Sequence, residues 1–167
     1  EDPQESMQRI ELFEPEEDLA KYMKLGLNEE YDYEIQFSPR DLVMVGGRRG
    51  AGKSVICANI ANAVYASGKS AMYFTIEMDS RSILQRCCSI ATEVPFARLR
   101  TQNLSVTEWE KVANWWAARY VDGQDRLKDY RIHRDFNKLH TSLKSQHELL
   151  PTQQLDVVYD PALTLSK

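Results

Sequence analysis

The sequence predicts an α/β fold, a mainly parallel sheet flanked by helices. Three observations predict it. Two short apolar runs, Asp41–Gly46 (DLVMVG) and Ala71–Ile76 (AMYFTI), have the length and composition of buried parallel strands. Each is followed by a stretch with helical patterning, the grammar of a strand–helix–strand–helix unit. A glycine-rich octapeptide joins the first strand to the first helix, at the edge of the sheet where open α/β folds bind ligands.

The elements follow in order. Residues 1–15 are rich in Glu, with Pro3 and Pro15, and read as a solvated arm. Leu19, Tyr22 and Met23 recur at helical spacing and predict a short amphipathic helix over Glu16–Leu27. That helix packs either on its own domain or on a neighbouring subunit. Ser38-Pro39-Arg40 punctuates the chain, so residues 1–37 are taken as an acidic arm or linker and residues 38–167 as the α/β domain. After the first strand, Ser54–Ala66 reads as a helix with Ile56, Ile60, Ala63 and Val64 on one face, stopped by Gly68. Ala71–Ile76 is the second strand. Ser80–Glu93 is the second helix, capped by Asp79 or Ser80 and ended before Pro95. Thr107-Glu108-Trp109-Glu110 resembles a capping box and opens a helix reaching Tyr120, with Trp109, Val112 and Trp116 as its buried stripe. Residues 122–150 are polar; they predict a strand at Tyr130–His133 and a helix over Asn137–Leu149. Leu155–Tyr159 (LDVVY) is a further strand, closed by Asp160-Pro161.

Composition narrows the class. The 167 residues suffice for one domain with a real core. The apolar stretches are too short to span a bilayer, and the acidic N-terminus carries no signal-peptide pattern, so no membrane association and a cytoplasmic setting are expected. Cys57, Cys87 and Cys88 lack metal-ligand spacing and read as small buried residues of a reduced protein. The net charge of −4 hides an asymmetry: residues 1–34 hold twelve acids and three bases, the remainder thirteen acids and eighteen bases. A mildly basic domain permits an anionic partner without identifying one.

Gly47-Arg48-Arg49-Gly50-Ala51-Gly52-Lys53-Ser54 fits G-x-x-x-x-G-K-[ST], the P-loop pattern. Gly50 and Gly52 admit backbone conformations closed to other residues and bring N–H groups close to phosphates. Those amides, Ala51 and Val55 included, and the positive helix end bind the anion together. Lys53 reaches the β- and γ-phosphates of ATP, and the Ser54 hydroxyl is the expected Mg²⁺ ligand. Arg48 and Arg49 occupy variable positions, pointing to solvent or adding charge near the nucleotide. Its placement between a strand and a helix is the context this motif requires.

The second strand runs into Glu77-Met78-Asp79. A carboxylate at that strand end can polarise a water for in-line attack on the γ-phosphate, which makes Glu77 the candidate base beside Lys53. The bland alternative is that Glu77 solvates the loop while Asp79 caps the next helix.

GRRGAGKS followed by YFTIEMDSRSILQRCCSIATEVPFARLR resembles the ATPase domain of DnaB-type hexameric replicative helicases, including phage versions. The likeness covers residues 41–118 best, and Glu77-Met78 with the following helix is its most diagnostic piece. LDVVYDPALTLSK is similar to the strand and turn that precede a helix and the Walker B strand in that family. This favours a turn role for Asp160 over a Walker B role. The resemblance implies a RecA-like P-loop ATPase, incomplete at its C-terminus, in which Glu77 is the base. It also implies ATP and Mg²⁺ as cofactors, a ring of six subunits, translocation on single-stranded DNA, and a primase or helicase loader as further partners. The Walker B aspartate, γ-phosphate sensor, DNA loops and arginine finger are not matched, so activity is expected of a longer parent rather than of this piece.

Other readings share the loop. A RecA-like recombinase or loader ATPase also has a second-strand glutamate, but Glu77-Met78 disfavours it; strand exchange rather than fork unwinding identifies it. A non-catalytic assembly module binds ATP without turnover. A small-molecule kinase transfers phosphoryl groups with no DNA stimulation. The basic residues Arg119, Arg126, Lys128, Arg131, Arg134, Lys138 and Lys144 alternate with Asp122, Asp125, Asp129 and Asp135, the pattern of a solvated mixed-charge surface.

Overall fold

The computed structural model describes residues 22–38, 40–146 and 148–162. The acidic arm and most of the expected Glu16–Leu27 helix lie outside them. The described end of that segment is not helical: Met23–Lys24 form a short strand β1, paired antiparallel to β2 (Gln36–Phe37) around α1 (Glu29–Glu34). Asn28 caps α1 by accepting from Tyr31 N. This unit rests on helix α2 (Lys53–Ala66) through Gly26. Gly26 has φ +70, and a Cβ there would meet the Ala63 Cβ at 2.6 Å. Asn59 Nδ2 donates to the Gly26 carbonyl at 2.7 Å.

Residues 41–48 are not the predicted strand. They make no ladder, and Leu42 and Met44 are 96% and 90% exposed. The run has strand composition, but a buried parallel strand needs hydrogen-bonded neighbours and covered faces, and no described strand lies beside it. The sheet that does form pairs β3 (Ala71–Thr75) with β4 (Leu155–Tyr159) in parallel, Ala71 opposite Leu155 and Thr75 opposite Tyr159. It is buried on one face only. Ala71, Tyr73, Thr75, Leu155 and Val157 face the helices, whereas Met72, Phe74 and Ile76 are each about three-fifths exposed.

Helices α2 and α3 (Ser80–Thr92) cover the inner face around Ala58, Ala61, Tyr65, Ile83, Cys87 and Leu155. The buried face of α2 is Ala58, Ala61, Asn62 and Tyr65, roughly opposite the expected face of Ile56, Ile60, Ala63 and Val64, which are half-buried. A helix apolar almost all round leaves its facing to be set by its neighbours. Its end follows the sequence: Gly68 adopts φ +82 and Lys69 N closes back on the Val64 carbonyl.

Helix α4 (Phe96–Thr101), which the sequence did not predict, and the expected α5 (Val106–Ala117) form a second cluster with α3: Cys88, Val94, Leu99 and Val112. The capping box of α5 sits two residues earlier than expected, with Ser105 and Glu108 bonded reciprocally. The stripe buried on α5 is Val112, Ala113 and Ala117, with Trp109 and Trp116 half-buried.

Residues 122–150 correct the sequence most. Tyr130–His133 belongs to a helix, α6 (Gly123–His133), and α7 (Phe136–Gln146) matches the expected helix there. Helices α5, α6 and α7 enclose Ala113, Ala117, Leu127, Tyr130, Leu139 and Leu143. Their charges pair at the surface as a mixed-sign set: Lys128 with Asp125 at 2.8 Å, Lys138 with Asp135 at 3.8 Å, and Arg131 and Arg134 with Glu110 of α5. Arg119 departs from that set. It is 7% exposed, its guanidinium lies over Trp115 and Trp116, and Nη2 donates to the Leu155 carbonyl at 2.7 Å.

Candidate functional site

The loop 47–54 leads from the extended segment 41–46 into α2. Gly50 and Gly52 take φ +79 and +89, the left-handed region the motif's glycines were expected to supply. Ala51 N donates to the Arg48 carbonyl at 3.1 Å, making the loop's tight turn. Gly52 is the N-cap residue, no side chain caps the helix, and its first turn holds no acid. Val55 N closes back on the Gly52 carbonyl at 2.9 Å, and the amides before it in the first turn have no intrahelical acceptor, so this end presents donors and a positive dipole. A Cβ built at Gly50 or Gly52 meets nothing within 4 Å, so the loop is open on that side.

Lys53 folds back over the loop, its Nζ donating to the carbonyls of Gly47 and Arg48 at 2.9 Å each. The ammonium is therefore held against the loop backbone. Arg48, Arg49 and Val55 are exposed, and Gly52, Lys53 and Ser54 half-buried. The residue types fit a Mg²⁺–triphosphate group: the loop offers amides, one ammonium and one hydroxyl, and the first turn of α2 holds no acid. Among the described residues no three His, Cys, Asp or Glu gather as metal ligands. Mg²⁺ held chiefly by phosphates and water needs no such cage.

The pKa of the Tyr73 phenol on β3 is raised, most by burial and further by the thiols of Cys57 and Cys87, while the nearby Ser54 hydroxyl opposes them. Glu77 lies four residues beyond Tyr73, a span of at most about 14 Å of chain.

Glu77 is exposed in the turn between β3 and α3. Asp79 caps α3, accepting from Ser82 N at 2.9 Å and Ser82 Oγ at 2.8 Å, which leaves Glu77 free of the capping role. The backbone bond to Ser82 holds the Asp79 carboxyl below its ordinary value. Asp160 closes a turn at the end of β4: its N donates to the Thr75 carbonyl and its Oδ1 accepts from Ala162 N at 2.9 Å. Sequence reasoning did not single out Tyr73 or Thr75; their places in the alternation of β3 were the only signal.

A family model described as the DnaB-like helicase C terminal domain matches residues 28–158. The chain is 36% identical over 78 residues to a replicative DNA helicase DnaB from Haemophilus influenzae, covering 46% of this chain and 17% of that protein. It is 33% identical over 78 residues to the replicative DNA helicase DnaB of Nostoc sp., covering 46% of this chain and 9% of the relative. A probable replicative DNA helicase of Guillardia theta is 31% identical over 71 residues, 42% of this chain and 12% of the relative. The alignments thus span a small part of each relative's length. No solved structure gives a significant match. No described helix is long and apolar enough to cross a membrane. With a family match over most of its length, the chain belongs to the DnaB-like helicase C-terminal domain family.

Proposed function

We propose that this chain carries the ATP-binding half of a replicative helicase motor, with residues 38–167 as the ATPase part. The parent protein hydrolyses ATP, translocates on single-stranded DNA and separates the duplex. It works as a ring of six, with a primase or loader as further partner, in the cytoplasm of a bacterial or phage-infected cell. The observation that carries this reading is the open loop at Gly47–Ser54, with Gly50 and Gly52 left-handed at the head of α2.

Catalysis here is positioning and charge neutralisation. The loop amides and the start of α2 bind the triphosphate. The Lys53 ammonium, held by two loop carbonyls, neutralises charge on the β- and γ-oxygens. Ser54 Oγ would be the protein ligand of a Mg²⁺ ion, which would supply further charge neutralisation. The Glu77 carboxylate orients a water and accepts its proton as the water oxygen attacks the γ-phosphorus in line, while the bond from that phosphorus to the β–γ bridging oxygen breaks and ADP leaves with phosphate as the other product. Arg48 and Arg49 add positive potential at the rim.

Two substitutions in the full-length parent test this. Lys53→Ala removes the ammonium at the phosphates, and nucleotide binding is expected to weaken by about 3 kcal/mol, over a hundredfold in Kd. Glu77→Gln is expected to keep binding and lower turnover roughly a hundredfold or more. Parental turnover in Lys53→Ala removes the site; parental turnover in Glu77→Gln removes the base.

A further inference from the structure

Glu77 sits on a turn, and a turn by itself does not aim a carboxylate. What fixes this one is Thr75, the last residue of β3. It is a polar residue only 9% exposed. Its Oγ1 donates to the Met78 carbonyl at 2.8 Å and accepts from Met78 N at 3.1 Å. One hydroxyl thus satisfies both backbone polar groups of the residue after Glu77. Thr75's own carbonyl accepts from Asp160 N at 3.1 Å, which anchors this point to the end of β4. The Met78 side chain packs on the cluster formed by α2, α3 and the sheet. Asp79 then caps α3. Ile76 and Glu77, both exposed, are the two residues lifted between these fixed points. Only a side chain that both donates and accepts at one atom makes this clasp, so Ser or Thr serves and Val does not.

We propose that Thr75 is the positioning residue for Glu77. Its hydroxyl holds the turn that presents the carboxylate, and so sets turnover without taking part in nucleotide binding. This rests on the reading of Glu77 as the base. Without the clasp Met78 loses two hydrogen bonds and the turn relaxes. Displacement of a reacting group by about 1 Å costs roughly a hundredfold in rate.

The test uses the full-length protein with Thr75→Val, Thr75→Ser, Glu77→Gln and the Thr75→Val/Glu77→Gln double variant. The readings are kcat, KM, affinity for a fluorescent ATP analogue, and Tm. Thr75→Val is expected to lower kcat roughly ten- to a hundredfold, with KM and analogue affinity at parental values. Thr75→Ser restores kcat. On the Glu77→Gln background Thr75→Val adds no further loss, because the residue it acts through is already disabled. Parental kcat in Thr75→Val, with Glu77→Gln inactive, overturns the proposal and leaves Glu77 as base. An additional loss in the double variant overturns it too. Parental kcat in Glu77→Gln removes both assignments together. Should Thr75→Val not fold, Thr75→Ala is read in the same way; failure of both to fold makes Thr75 a residue of the fold alone and overturns its role toward Glu77.

Discussion

Replacing Gly52 by Ala separates what the loop's shape does for folding from what it does for the nucleotide. Gly52 has φ +89, and a Cβ there meets nothing within 4 Å. No steric clash opposes the methyl group, so the folding cost is backbone strain alone, about 1–2 kcal/mol. For a chain of this size that lowers Tm by about 3–6 °C. Gly68 supplies the control. It has φ +82 with equally open surroundings, so Gly68→Ala carries the same strain. It lies at the other end of the 14-residue helix α2, about 21 Å away along the axis. Both variants therefore lose similar stability, but only Gly52→Ala puts a methyl into the proposed phosphate loop. One displaced charge-assisted amide bond amounts to about 1.5–3 kcal/mol, roughly ten- to a hundredfold in Kd. The assay is titration with a fluorescent ATP analogue, with thermal unfolding measured on the same samples. Equal weakening in both variants would mean that stability, not the loop, governs binding. Parental binding in Gly52→Ala would show that the nucleotide does not occupy this loop, and the reasoning fails.

Gly123→Ala probes the docking of α6 on α5. The new Cβ would lie 1.8 Å from the Ala117 carbonyl oxygen, a backbone atom that cannot step aside, so a loss of about 3 kcal/mol is expected in chemical denaturation; a neutral result refutes the observed contact. Glu110 joins α5 to α6, and its hydrogen bond from Arg131, reinforced by Arg134, holds its carboxyl below the ordinary value. A depressed folded pKa means the contribution is complete above the unfolded value of 4.5 and fades as pH falls through the folded one. Glu110→Gln should therefore cost up to about 1 kcal/mol at neutral pH and converge with the parent in acid, because these partly exposed pairs are screened; a pH-independent difference would contradict the ion-pair account. Burial pushes the thiols of Cys87 and Cys88 up to about 11 and about 12, while Cys57 is only half-buried. At pH 8 a disulfide reagent should label Cys57 first in the folded chain, and all three only on unfolding; fast labelling of Cys88 would place it outside the core.

The sequence by itself determined the local chemistry. The P-loop pattern required left-handed glycines at Gly50 and Gly52, because its amides must turn inward, and both take that conformation. Asp79 was readable as a cap and Gly68 as a stop, since each acts within a few residues of itself. The strand Leu155–Tyr159 was readable from its β-branched run between polar neighbours. Only tertiary structure decided the rest. The run Asp41–Gly46 has strand composition, yet pairing depends on neighbours its own residues do not specify, and it lies exposed. Tyr130–His133 reads as a strand in isolation, but Leu127 and Tyr130 fall on one helical face buried against α5 and α7. Arg119 looked like one more surface cation until Leu155, thirty-six residues away, supplied its acceptor and two indoles its cover. The clasp of Thr75 on Met78 follows the same division. Its hydroxyl was visible in the sequence, but whether it faced solvent or closed the turn beneath Glu77 depended on which face of β3 the helices covered.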